Sequence, residues 1–223
     1  MSFSGEKCST VPDTTRDDAR DKRQAILSAA RELFARRGYE ETTIAEIARA
    51  AGVAVGTVYL YFQSKHDILL DVCLALNEEV ALAIRSPANL ELPIQQVPRA
   101  IIEATFRISR ANLRFMGYFQ IEAQSPAELR RMRDSKRQIA DSIDAFFQLA
   151  ISQGRLPPFD TAVYAELLND LVSATLQQCF AIERGEREAF YREGVIEFIE
   201  RLFFGPPLAI GGSSRTESPA NRE

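Results

Sequence analysis

Residues 42–65, TTIAEIARAAGVAVGTVYLYFQSK, restrict the possible folds more than any other stretch of the chain. Thr43-Ile44-Ala45-Glu46 has the S/T-x-x-E form of a capping box, so a helix is expected to begin just after Thr43. Ile44, Ile47 and Ala48 fall at i, i+3 and i+4 and give that helix one apolar stripe. Ala50-Ala51-Gly52 ends it, because glycine accepts the left-handed backbone of a short turn. Val53 anchors the turn, and residues 54–62 form a second short helix. Two helices crossing over a glycine turn make a helix-turn-helix unit, whose second helix can lie in the DNA major groove.

The composition of the second helix suits a groove. Val55, Gly56 and Thr57 are small, so the backbone can come close to base edges and phosphates. Val58 and Phe62, four apart, are expected to face inward, while Tyr59 lies on another face with its hydroxyl free for a phosphate. Lys65 follows at the start of the next helix, where a point charge and free amides both favour a phosphate oxygen. Taken alone, Tyr59 and Tyr61 read equally well as surface residues of a small bundle.

The segment resembles the DNA-binding domain of the TetR family of bacterial transcriptional regulators. The family signature is F-x-x-x-G-Y/F, then T-T/S-I-x-x-I-A-x-x-A-G-V, then G-T-x-Y-x-Y-F-x-x-K-x-x-L. This chain supplies Phe34 to Tyr39, Thr42 to Val53, and Gly56 through Lys65 to Leu69, over about fifty residues. The resemblance implies phosphate contacts from Thr42, Thr43, Thr57, Tyr59, Tyr61 and Lys65, with Val55 and Gly56 facing the bases. It covers about a quarter of the chain in sequence and the remainder in architecture only.

Composition bears on this reading. The net charge of −4 is unusual for a DNA binder, but residues 1–66 carry 10 Lys/Arg against 9 Asp/Glu. A local basic face is what docking requires, and Arg16, Arg20, Lys22, Arg23, Arg49 and Lys65 are its candidates. Cys8, Cys73 and Cys179 lie far apart without histidine pairs, so no metal site is assigned, and Cys73 and Cys179 read as core thiols. No cofactor is expected. The lone histidine, His66, reads as a surface residue. No apolar run reaches the roughly 18 residues that span a bilayer, and residues 1–23 lack the apolar centre of a secretory signal. A cytoplasmic protein without membrane contact is the expectation.

The rest of the chain shows helical periodicity and no strand pattern, so the fold class is all-α. Residues 1–17 read as a disordered arm, and a helix over 18–37 buries Ile26, Ala30, Leu33 and Phe34 before Gly38 stops it. Residues 18–65 then form a three-helix DNA-binding domain. A connecting helix is expected over about 64–85, an irregular Pro-rich stretch to about 97, a helix from there, and a shorter piece over 113–124. Ser125-Pro126-Ala127-Glu128 is a strong start signal for a helix to about Gly154. Asp160 caps a helix to about Arg184, Glu186 opens the last one to about Phe204, and residues 205–223 read as a disordered tail.

For residues 66–204 the resemblance implies an effector-binding and dimerisation domain, with the last two helices pairing with those of a second subunit. Their surplus apolar residues suit a closed two-fold interface, with completion of a monomer core as the alternative. Phe106, Phe115, Tyr118, Phe119, Phe146 and Phe147 are candidates to wall a cavity for a small apolar effector, or to be ordinary core. The stretch Gln120 to Arg130, followed by a long helix and an S-Q-G-R-L turn, is similar to the branch of the family controlling fatty-acid degradation, whose members sense long-chain acyl-CoA. A repressor role on a palindromic double-stranded operator, bound as a homodimer and released by the effector, follows from the resemblance. An unrelated hydrophobic or drug-like effector stays open, as does a helical adaptor without DNA binding. With no catalytic constellation in view, an enzyme has no support.

Overall fold

Apolar residues recurring at helical spacing have to be buried against one another, and here they bury into two adjoining cores. The computed structural model describes residues 14–116 and 125–205, which are helices and connecting turns, with no strand among the described residues. The helices are α1 (Thr14–Arg37), α2 (Ile44–Ala50), α3 (Val55–Tyr61), α4 (Lys65–Ile84), α5 (Ala88–Glu91), α6 (Val97–Ala111), α7 (Leu113–Met116), α8 (Pro126–Ser152), α9 (Thr161–Leu176) and α10 (Glu188–Phe204). The fold class is the expected one.

The first core joins α1, α2, α3 and the first half of α4. Ile26, Phe34, Ile47, Val58, Phe62 and Ile68 are all fully or almost fully buried in it. Phe115 of α7 closes it from the far side, edge-on to Phe34 at 6.0 Å between ring centroids. The second core gathers α6, α8, α9 and α10 around Ile102, Phe106, Phe147, Phe180 and Ile196. α4 and α8 run side by side in the same direction, because Asn77 bonds Ser135 and, further along, Arg85 bonds Ser142.

Several helix ends follow the sequence reading. The hydroxyl of Ser64 accepts the Asp67 amide and caps α4. The Asp67 carboxylate reaches one residue further back than the cap, to the Gln63 amide at 3.1 Å. Ser125 caps α8 through the Glu128 amide, and Asp160 caps α9 through that of Val163. Other boundaries differ. α1 begins at Thr14, so residues 14–17 extend the helix rather than the arm. α5 and a 3₁₀ turn at Ile94–Gln96 occupy the stretch read as irregular. α9 gives way to a π-helical turn, Gln177–Ile182, instead of running on to Arg184. Residues 1–13, 117–124 and 206–223, and with them most of the expected arm and tail, lie outside the described residues.

Candidate nucleic-acid interface and ligand cavity

α2 is held at its start from both directions. Thr43 Oγ1 accepts the Glu46 amide at 3.3 Å, and the Glu46 carboxylate accepts the Thr43 amide at 3.0 Å. The hydrogen bond from the Thr43 amide, with that from its hydroxyl, holds the Glu46 carboxyl below its usual range. Gly52, at φ 69°, supplies the left-handed turn, and the Val53 amide closes it onto Ala48 O at 3.0 Å.

α3 has only seven residues and no side-chain cap, so it depends on packing rather than on its own helix propensity. Val58 and Phe62 supply that packing. The opposite face is open: Val55 is 42 % exposed and Tyr59 54 %, and a Cβ built on Gly56 meets no atom within 4 Å. Leu60, missed in the sequence reading, is 82 % exposed. The spacing that turns Val58 and Phe62 inward turns Leu60 outward, so the signal was present. Thr57 and Tyr61 are half-buried, and Tyr61 packs against the first core.

Two residues expected at phosphates have other work. Thr42 is only 1 % exposed, and its hydroxyl donates to Gly38 O at 2.8 Å. That commitment removes it from the surface and makes it a brace for the α1–α2 turn. The Lys65 ammonium donates to Tyr39 O at 2.9 Å and Glu40 O at 3.3 Å, and lies 4.3 Å from the Tyr39 ring centroid. It ties α4 to the same turn and keeps its third N–H direction for another acceptor. Of the other cations, Lys22 pairs with Asp18 and Arg23 with Asp71, whereas Arg20 and Arg49 are exposed with no ion pair among the described residues.

Beyond α4 lies an apolar cavity of about 440 Å³, within the range of small-molecule sites. Its walls come from α4, α6, α8, α9 and α10. Phe146 and Phe147 line it, with Phe203 and Phe204 beside them. Phe106 does not, because it is packed against Phe180 at 5.8 Å in the second core. Phe115 does not either, since it belongs to the core beneath α3. Tyr118 and Phe119 lie outside the described residues. Asn77, Ser109, Arg133, Lys136, Asn169 and Gln177 are polar groups in its wall, and Lys136 is paired with Asp170 at 2.8 Å. Ile84, Ile94, Val97, Phe146, Phe203 and their neighbours make most of the wall apolar. Among the described residues no Asp or Glu lines the cavity. Cys73 lines it as well, its thiol pushed up to about 12 by burial, so it is an inert apolar wall group.

Comparison with known proteins agrees with this geometry. The family model described as bacterial regulatory proteins, tetR family, matches residues 26–72, the stretch from the middle of α1 into α4. A fatty acid metabolism regulator protein of Bacillus subtilis (strain 168) is 47 % identical over 53 residues, 24 % of this chain and 27 % of that relative. The match thus spans about a quarter of the relative's length. The HTH-type transcriptional regulator SrpR of Pseudomonas putida is 27 % identical over 143 residues, 64 % of this chain and 67 % of its own. Among solved structures, the transcriptional regulator FadR from Bacillus subtilis, in complex with stearoyl-CoA, superposes with a TM-score of 0.62. It covers 82 % of this chain and 98 % of that one at 19 % identity, a likeness of fold. These relatives are named as regulators, the latter two of transcription, and no single helix among the described residues is long and apolar enough to cross a membrane. The helix-turn-helix of α2 and α3, mounted on a second all-helical domain, lies within residues 26–72, and that amino-terminal stretch is a domain of the tetR family of bacterial regulatory proteins.

Proposed function

We propose that this chain is a cytoplasmic homodimeric repressor that grips a palindromic operator through two copies of α3 and lets go when an amphiphile fills the cavity. The observation that carries the DNA-binding part is the open face of α3, small at Val55 and Gly56 and flanked by Tyr59, on a helix fixed from behind by Val58 and Phe62. Val55 and Gly56 are assigned to base edges, with Leu60 adding apolar contact. Thr57, Tyr59, Tyr61 and the remaining N–H of Lys65 are assigned to phosphates, with Thr43 holding the amides of the α2 start in place.

Dimerisation is supported by apolar side chains left in water on the last two helices. Val163, Leu167 and Leu171 of α9 and Phe190, Phe198 and Leu202 of α10 are all exposed. Such a face suits a second copy of itself, and one helix-turn-helix reads too few bases for useful specificity.

The effector class is supported by the cavity wall, which is mostly hydrocarbon and, among the described residues, carries Arg133 and the Asp170-paired Lys136 but no carboxylate. A long apolar chain with an acidic head fits that distribution, and a fatty acyl-CoA is the instance we favour. The solved relative that holds stearoyl-CoA lends the same idea support through fold alone.

Selecting genomic fragments with purified protein tests this reading. We expect a palindrome, two chains per site, and loss of binding when palmitoyl-CoA is added. Tyr59→Phe is expected to weaken binding to all fragments alike, by about 1 kcal/mol. Leu167→Glu is expected to give a monomer by ultracentrifugation. A protein that ignores duplex DNA in dilute salt ends the proposal.

A further inference from the structure

The seam between α4 and α8 carries a group that neither the DNA-facing helix nor the cavity accounts for. Asp71 of α4 has 5 % of its side chain exposed. Arg23 of α1 donates to its Oδ2, and Arg131 of α8 donates to its Oδ1. Among the described residues it is the carboxylate that receives a guanidinium from both α1 and α8. The Arg23 guanidinium also lies 5.2 Å from the ring centroid of Phe62, the buried residue at which α3 ends. Arg131 further approaches Asp67 at 3.7 Å. A continuous set of contacts therefore runs from α8 through α4 and α1 to the end of α3.

Ionic contacts of this kind resist partial separation. A buried carboxylate that loses one guanidinium is left under-compensated in a medium of low dielectric, so the helices it joins shift together or the set rearranges as a unit. Apolar residues of similar volume would give at least as much stability, and what the charges add is a fixed register between three helices. The ends of the set also sit beside the cavity wall. Leu70 and Cys73 flank Asp71 on α4, and Met132 and Arg133 follow Arg131 on α8, and all four line the cavity. A ligand seated there presses on the same turns that hold the ionic set.

We infer that Arg131, Asp71 and Arg23 are positioning residues through which occupancy of the cavity moves α3. This rests on the effector-release reading above and adds the route. None of the three lines the cavity or lies on α3; they act by fixing α1 and α4 to α8.

The test uses full-length protein, the recovered operator and palmitoyl-CoA as probe. Arg131→Met is the informative variant, because it cuts the tie to α8 while Asp71 keeps Arg23 as a partner and is not left as an unpaired buried charge. We expect operator affinity without ligand to stay within about threefold of the parent protein, and calorimetry to show palmitoyl-CoA still bound. The factor by which saturating palmitoyl-CoA weakens operator binding should fall by about tenfold, within the usual span of coupling between sites. Arg131→Lys should restore most of it. An Arg131→Met protein that keeps the parent's factor overturns the inference. A second measurement needs no ligand: amide hydrogen exchange in α1 near Arg23 and in α3 should quicken in Arg131→Met. Unchanged exchange there overturns the route whatever palmitoyl-CoA does. Quickened exchange together with a parent protein deaf to palmitoyl-CoA would remove the effector assignment and leave the route standing.

Discussion

The two cores of this molecule use phenylalanine in opposite ways. Beneath the recognition helix, Phe34, Phe62 and Phe115 are buried without residue, and the space between α1, α3 and α4 is filled. In the second domain, Phe146, Phe147, Phe203 and Phe204 stand around about 440 Å³ of unfilled volume. A seven-residue helix has no stability of its own and is placed only as accurately as its packing allows. A domain that admits a ligand has to leave lining atoms without partners, at a cost in dispersion energy. α4 belongs to both regimes, sending Ile68 and Val72 into the filled core and Leu74 and Asn77 to the cavity.

The largest expected effect tests that contrast directly. Phe62→Ala should lower stability by about 3–5 kcal/mol, the usual range for an enclosed aromatic. Phe146→Ala, half-buried beside existing empty space, should cost roughly half of that or less. Denaturant midpoints of the two proteins would measure the difference, and equal losses would mean that the cavity wall is as tightly determined as the core under α3.

Next in size is a pair of glycines, eleven residues into the same motif and only four apart. Gly52 has φ 69°, so Gly52→Ala forces an L-residue into the left-handed region and should cost about 1–2 kcal/mol of stability. Gly56 is in ordinary helical backbone with nothing within 4 Å of a built Cβ, so Gly56→Ala should leave the fold unharmed. If its face approaches bases, the added methyl should still weaken operator binding about tenfold, or about 1.4 kcal/mol. A Gly56→Ala protein with undiminished operator affinity would move the DNA-facing surface elsewhere on the domain.

The same division decides what was legible in the sequence. Local grammar such as the Thr43–Glu46 cap, the Gly52 turn and the Ser125-Pro126 start is written in adjacent residues, and the structure reproduces it. The inward turn of Val58 and Phe62 follows from spacing alone. What spacing does not encode is which of several buried aromatics meets another core and which meets a void. Phe115 and Phe146 look alike in sequence, yet one plugs the DNA-binding core and the other faces the cavity, because α7 folds back under α1. Thr42 and Lys65 show the same gap. Their partners are carbonyls of the α1–α2 turn, and a carbonyl's direction leaves no trace in side-chain identity. The Arg23–Asp71–Arg131 set joins residues 48 and 60 positions apart and had no local signature at all.

The smallest predicted effect lies in that legible grammar. Thr43→Ala removes the oxygen that accepts the Glu46 amide, and a lost cap of this kind costs about 1 kcal/mol. It should also change the response to acid. In the folded chain the Glu46 carboxyl titrates below its ordinary value of 4.5, chiefly because the Thr43 amide bonds to it and then because the Thr43 hydroxyl does. A depressed folded value means that the unfolded chain binds the proton more readily. The stabilisation is therefore fully present above pH 4.5 and fades as pH falls through the folded value. Thr43→Ala removes the hydroxyl but keeps the backbone N–H, so the acid dependence should shrink without vanishing. Glu46→Gln removes the titrating group and should flatten that part of the profile. Midpoints for the three proteins between neutral and acidic pH would separate the two contributions. If Thr43→Ala flattened the profile as fully as Glu46→Gln, the backbone amide would not be the main source of the shift.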